Sequence, residues 1–283
     1  MNCKRQTALL AAVFMAAAGC TDRAFDSSSL ETAEVRLHVG WDGATGGAQQ
    51  NGIVRFSGGK EYSVSSGEVT VEAAETGEDR LVLFNLPEGL LRNGSVFTVE
   101  KLDGGTIRSD AGLLFCDAVD VHIRPLVTND ITVKPRQTSK RIAVEAESEE
   151  PLEAFSAAVE AAGSLDVEYN RFFNPQTAAF PMEEDLDSEG RKWSGNATVL
   201  GWCTDAPEMK VSLRRTDGKQ EDYVLPIPLL TLGYNRGIPP ELKISLHFYG
   251  GRCAAAIAMP SGNWQINLEK INIDENTENN DIL

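Results

Sequence analysis

In the stretch VRLHVGW, residues 35–41, the apolar Val35, Leu37, Val39 and Trp41 alternate with Arg36, His38 and Gly40. A period of two puts all four apolar side chains on one face of an extended chain, so the segment reads as a strand with one dry side. Similar alternation, or a short apolar run, recurs at residues 53–56, 69–73, 81–86, 96–102, 119–123 and 131–133. Between these lie Gly58-Gly59, Pro87-Glu88-Gly89, Asn93-Gly94 and Asp103-Gly104-Gly105, residue types that accept the positive φ of tight turns. Short strands with turn chemistry at this spacing argue for an all-β sandwich.

A second series follows Pro135, at residues 141–146, 164–169, 196–202, 210–215, 223–225, 242–249 and 264–273, with Asp217-Gly218 as a hairpin signal. The change of series places a boundary near residues 135–139. It divides the chain into an N-terminal β-sandwich, 34–135, and a C-terminal β-sandwich, 136–273. One segment is ambiguous. Leu152, Phe155 and Val159 fall at helical spacing among alanines that favour helix. Phe155, Ala157 and Val159 would equally line one face of a strand. The last ten residues, DENTENNDIL at 274–283, have almost no apolar periodicity and read as a disordered tail.

At the other end, Lys4 and Arg5 precede an apolar segment from Ala8 to Ala18. It is too short to cross a hydrocarbon layer of roughly 30 Å. Ala17-Ala18-Gly19-Cys20 supplies the small residues that a lipoprotein signal peptidase accepts, and the segment resembles a bacterial lipobox with Ala17 where Leu is commoner. The alternative is an ordinary secretory signal. On the lipobox reading, residues 1–19 are a signal peptide, the Cys20 thiol receives the lipid, and the polar, Ser-rich stretch 20–33 is a flexible tether. Acyl chains contribute roughly 0.8 kcal/mol per buried methylene, enough to hold a soluble domain at a membrane surface. Charge points the same way. With 42 acidic against 26 basic residues the formal net charge is −16, which repels nucleic acid and anionic membrane faces alike. Nucleic acid is excluded as a partner, and attachment to a membrane falls to the lipid on Cys20.

Candidates for chemistry are few. In DLDSEG, Asp185, Asp187 and Glu189 precede Gly190 at the spacing that opens a calcium loop, but the twelfth position is Asn196 and not the bidentate Glu such loops need. A plain acidic hairpin is the favoured reading, and no metal site is expected. No Gly-x-Ser-x-Gly elbow, phosphate-cradling glycine loop or His-Glu-x-x-His motif occurs, and three histidines leave little material for general-base work. No catalytic residue and no cofactor is expected. Trp41 and Trp202 continue buried alternations and read as core. Trp193, between Arg191-Lys192 and Ser194 in a polar turn, is the best exposed candidate for contact with a sugar ring. Cys116, Cys203 and Cys253 allow one disulfide at most, and buried free thiols are the alternative.

The order of several pieces in the second half carries more than periodicity. Gly163-Ser164-Leu165-Asp166-Val167, Phe180-Pro181-Met182, Trp193-Ser194-Gly195, Gly201-Trp202-Cys203 and Leu213 to Lys219, ending Asp217-Gly218-Lys219, resemble the C-terminal domain of a group of Bacteroidales lipoproteins. That group is similar to the minor fimbrial anchor subunits and their uncharacterised relatives. The resemblance covers residues 130–250 best, with the lipobox and Trp41-Asp42 as weaker support. It implies two tandem β-sandwiches of transthyretin-like, Greek-key character and a strand at residues 155–159. It also implies display on the outer membrane facing the cell exterior, and it assigns no catalytic residues. The expected function is a lipid-anchored structural or adhesion protein, associated with fimbrial subunits. The alternative is a glycan-binding surface lipoprotein of a polysaccharide-utilisation system. Because the tail lacks the alternating apolar residues of a donated strand, a terminal or solitary protein is expected over a shaft subunit.

Overall fold

A computed structural model of the chain describes residues 31–41, 51–102, 105–204, 206–227, 241–258 and, as backbone, 265–271. The expected signal peptide, Cys20, most of the tether, Trp264 and the acidic tail lie outside the described residues. Among the described residues twenty strands and one 3-10 turn make up the regular structure, so the all-β expectation holds.

The N-terminal unit packs two sheets face to face. One has β1 (Thr32–Val39) at its centre, antiparallel to β4 (Gly67–Glu75) and parallel to β9 (Asn129–Val133). The other has the order β10 (Arg136–Gln137), β8 (Phe115–Ile123), β5 (Gly77–Phe84), β2 (Asn51–Arg55), β3 (Glu61–Ser65). The alternation read from the sequence becomes the core between them: Val35, Leu37, Val39 and Trp41 meet Val54, Leu81, Leu83 and Phe115. Their removal from water, at about 25 cal/mol per Å², is what holds the two sheets together.

The C-terminal unit is a larger sandwich. Its first sheet runs β14 (Glu183–Glu184), β15 (Lys192–Val199), β11 (Lys140–Ser148), β18 (Glu241–Tyr249), β19 (Arg252–Ala258), β20 (Gln265–Ile271). The second is built on β12 (Leu152–Asp166), with β16 (Glu208–Arg215) and β17 (Gln220–Pro226) beyond one edge and β13 (Arg171–Ala179) on the other. The ambiguous segment is therefore strand. Phe155, Ala157, Val159 and Ala161 line one buried face, and the helical spacing of Leu152, Phe155 and Val159 is overridden by pairing to β16 on one side and β13 on the other.

The two units are joined more closely than the change of series at Pro135 suggests. A hairpin from the first half, β6 (Leu90–Asn93) and β7 (Val96–Val99), completes the β12 sheet of the second, through β7 pairing with Ser164, Leu165 and Asp166. Strand β5 explains how. Leu81 and Leu83 point into the N-terminal core, while Val82 and Phe84 point the other way and join the large core with Phe97, Val99 and Ile107. Phe84 and Phe97 meet edge to face with ring centroids 5.3 Å apart. Arg92 lies over the Phe84 ring at 5.0 Å and forks onto Glu61 of β3 with two bonds of 3.0 and 2.9 Å. Burial opposes ionisation of Glu61, but the hydrogen bonds from Arg92 and Arg55 outweigh it and hold its carboxyl below the ordinary range. The junction itself is tied down: Pro135 is buried, the Leu114 amide donates to Ser139 Oγ (2.9 Å) and the Thr138 amide to the Leu114 carbonyl (2.8 Å).

Glycines of the quoted motifs have packing roles. A Cβ on Gly195 would sit 2.6 Å from the Met182 sulfur and 2.8 Å from the Pro181 carbonyl, and one on Gly201 would sit 2.5 Å from the Phe172 ring. Phe180-Pro181-Met182 and Trp193-Ser194-Gly195 therefore belong together because the Gly195 backbone lies against Pro181, while Gly201 packs against the Phe172 ring and accepts from the Ala162 amide at 2.9 Å.

Candidate functional site

The outer face of the β11 sheet carries a groove of about 760 Å³. Register determines what lies in it. One rung across four strands reads Ser194, Glu145, Ser245, Ala256, and the next reads Lys192, Glu147, His247, Ala254. The inward-facing residues of the same strands, Val144, Ala146, Ile244, Leu246, Cys253 and Ala255, are core. The groove thus has a floor of small side chains and a rim of hydrogen-bonding and charged ones. Lys192 Nζ lies 3.7 Å from Glu147, and Lys243 Nζ lies 2.7 Å from Glu145, which leaves carboxylate oxygens and ammonium protons on the rim for a ligand.

A second depression of about 410 Å³ adjoins it, sharing Glu147, Asp185, Lys192 and His247 and adding Asp187, Ser188 and Arg191. This is where the DLDSEG stretch comes to lie. Asp185 caps a single 3-10 turn, Leu186–Ser188, by accepting from the Asp187 amide (3.2 Å), and Glu189 follows in the left-handed region with φ 54°. The acidic side chains serve a local turn. Among the described residues no group of three or more His, Cys, Asp or Glu is placed to hold a metal ion.

Trp193 is not in a polar turn, as its neighbours suggested, but on β15. It shares the parity of Gly195, Ala197 and Val199, so its ring turns toward the core, 6.3 Å from Phe155 and tilted by 38°, and its Nε1 donates to the Gly190 carbonyl at 3.3 Å. It is half-buried at the groove margin. The exposed flanking residues Lys192 and Ser194 belong to the opposite face, which is why the local composition looked like a turn. Trp41 and Trp202 are both buried, in agreement with their reading as core.

The three cysteines described are unpaired: Cys253 is buried, Cys116 half-buried and Cys203 exposed. Burial pushes the Cys116 thiol up to about 11 and the Cys253 thiol up to about 12. Each histidine has a neighbour that engages it. His38 pairs with Asp130 (3.3 Å), His122 with Glu78 (2.8 Å), and His247 lies 5.4 Å from the Tyr249 ring.

These observations define a two-unit β-sandwich protein with an alanine-floored, charge-rimmed groove on its C-terminal unit. Solved structures share that architecture. A protein from Bacteroides ovatus described as an adhesin matches with a TM-score of 0.58 at 14% identity, over 82% of this chain and 94% of that one. The fimbrial anchor protein Mfa2 from Porphyromonas gingivalis matches with a TM-score of 0.58 at 12% identity, over 82% of this chain and 98% of that one. A protein from Bacteroides thetaiotaomicron described as polysaccharide-binding matches with a TM-score of 0.55 at 12% identity, over 86% and 99% of the two chains. At these identities the likeness is one of fold, and it is the fold that the resemblance in the second half implied. No protein-family model and no curated protein matches the chain.

Proposed function

We propose that this chain is a structural or adhesion protein of the cell surface, held to the outer membrane by a lipid on Cys20 and associated with a fimbria as an anchor, tip or accessory subunit. The observation that supports this most is the correspondence of architecture along almost the whole length of a fimbrial anchor protein, both sandwiches included. The lipobox at residues 17–20 supplies the means of attachment. Its test is made on cells. A strain carrying Cys20→Ser should release the protein from the membrane and fail to incorporate labelled fatty acid into it, and filaments should be shed into the medium. Equal fatty-acid labelling of wild type and variant would overturn the lipid attachment. Filaments that stay attached in normal number and length when the chain is deleted would overturn the fimbrial role.

The groove favours a second reading, a glycan-binding surface lipoprotein. Small side chains on its floor leave room for a flat ring, and Glu145, Lys192, Ser194 and Ser245 offer donors and acceptors to hydroxyl groups, with Trp193 at the margin as a further contact. On a polysaccharide array, Lys192→Ala and Glu145→Ala should weaken any binding without altering thermal stability. No binding by wild type at high concentration would remove this reading.

A further inference from the structure

The turn joining β8 to β9 displays its apolar residues to solvent. Arg124, Pro125, Leu126, Val127 and Thr128 are all exposed, with Leu126 at 66% and Val127 at 50%. Leu126 also has φ 61°, a left-handed conformation in which glycine or asparagine is the ordinary occupant. The turn is held in this shape by one side chain. Asn129 Oδ1 accepts from the Arg124 amide (2.8 Å), and its Nδ2 reaches the carbonyls of Arg124 (3.0 Å), Val127 (3.1 Å) and Glu34 (3.2 Å). A strained backbone, fixed by a side-chain amide so that two adjacent apolar side chains stand in water, differs from the scattered single apolar residues that any surface carries.

Its position says what could cover it. Through Asn129, and through Thr128 Oγ1 donating to Glu34 (3.0 Å), the tip is fastened to the first residues of β1. β1 and β9 are parallel, so the tip lies at the end where the chain enters the fold. Cys20 is eleven residues before Glu31, the first residue described. Eleven residues reach at most roughly 40 Å when extended. A lipid on Cys20 therefore brings this end of the N-terminal unit to the bilayer surface.

We propose that Pro125, Leu126 and Val127 insert into the interfacial region of the bilayer that holds Cys20, as a second contact that fixes how the protein stands on the membrane, with Arg124 reaching a headgroup phosphate. This rests on the lipid attachment of Cys20. Glu31, Glu34, Glu75 and Glu78 are exposed at the same end, so the matching surface is zwitterionic and not anionic. Apolar side chains in this role reach about 5–10 Å into the boundary between headgroups and acyl chains.

The test uses the full acylated chain in phosphatidylcholine vesicles containing lipids brominated near the headgroup. Leu126→Trp, and Val127→Trp as a second variant free of the strained backbone, should have their added emission quenched several-fold more than that of Val224→Trp on β17, an exposed position in the C-terminal unit. Equal quenching at all three positions, or none, in protein that stays on the vesicles overturns the proposal. Protein purified from membranes that carries no lipid on Cys20 by mass spectrometry overturns the acylation and the bilayer contact that rests on it, so the two failures are told apart.

Discussion

Phe97→Ala is the perturbation that tests whether the two sandwiches are one mechanical body. Phe97 is 0% exposed, sits on the hairpin that the first half lends to the second, and meets the equally buried Phe84 edge to face at 5.3 Å. Truncating a buried phenylalanine costs about 3–5 kcal/mol, because the lost transfer energy is joined by a cavity that close-packed neighbours cannot fill. The edge-to-face pair supplies about 0.5–1.5 kcal/mol of this. Against a total stability of about 5–15 kcal/mol, that is a large share. Since Phe84 belongs to β5, whose other face is N-terminal core, the loss should be felt on both sides of the hairpin. Urea unfolding should show a lower midpoint with the slope kept, and native-state hydrogen exchange should speed up in both β5 and β12. Leu91→Ala on the same hairpin, at 58% exposure, should stay within about 0.5 kcal/mol of wild type. A Phe97→Ala loss below about 1 kcal/mol, well under the cavity range, or faster exchange confined to one unit, would refute the coupling.

Arg215→Met should cost about 3–5 kcal/mol at neutral pH by stranding Glu221. That carboxylate is 2% exposed and is held by Arg215 Nε (2.8 Å) and Tyr223 Oη (2.7 Å). In the wild type, burial opposes ionisation of Glu221, but Arg215, Tyr223 and Lys219 outweigh it and leave the carboxyl below its usual range, so its contribution is present at neutral pH and is lost as pH falls through the depressed value. In the variant the Arg215 share is lost and burial is opposed only by Tyr223 and Lys219, so the stability deficit should shrink on acidification through the carboxylate range; a deficit independent of pH would show that Glu221 is not the group responsible. A thiol reagent at pH 8 should modify the exposed Cys203 ahead of Cys116 and Cys253, which react only on unfolding, as mass spectrometry of the native protein will show. Deleting residues 275–283 should leave folding and surface display intact, and loss of filament incorporation would make the tail a donated strand.

The strands that were legible in the sequence are those with one apolar and one polar face. β1, β11 and β18 alternate because each has water on one side, and their bounds fall within a few residues of those read from periodicity. β13 was missed because it has few buried positions and carries Pro175. β19 was hidden for a reason that bears on function. Its outward residues are Ala254, Ala256 and Ala258, so Cys253, Ala255 and Ile257 have no polar partners to alternate with. Ala254 and Ala256 make the groove's floor, and the groove could not be read from the sequence because it is assembled from the third dimension of the sheet: Glu145, Lys192, Ser245 and Ala256 come from four separate strands. The β6–β7 hairpin was read as N-terminal on sequence order alone. Its destination is set by long-range pairing with residues 164–166, for which local pattern carries no signal.

Where the chain enters and leaves the N-terminal unit bears directly on the proposed anchoring role. A pull transmitted from a lipid on Cys20 arrives at the start of β1, and the opposing pull, from whatever the C-terminal unit holds, arrives beyond the end of β9. Because β1 and β9 are parallel neighbours, with Val35 to Val39 beside Asn129 to Val133, these two forces slide the strands past one another along their length. Sliding must break the whole ladder together, whereas pulling apart the two ends of a hairpin opens its bonds one at a time. β1 is loaded the same way on its other side by its pairing with β4, from Thr32 opposite Glu75 to Val39 opposite Gly67. Forced unfolding is governed by the unfolding barrier and not by equilibrium stability, so a central strand gripped on both edges resists load out of proportion to the energy of its bonds. The Asn129 staple adds a fastening at the point of entry, since the side chain that shapes the Leu126 turn also bonds the Glu34 carbonyl of β1. Beyond β9 the load meets β10 paired to β8, and the hairpin locked between the units then spreads it into the β12 sheet, so no single flexible linker has to carry it.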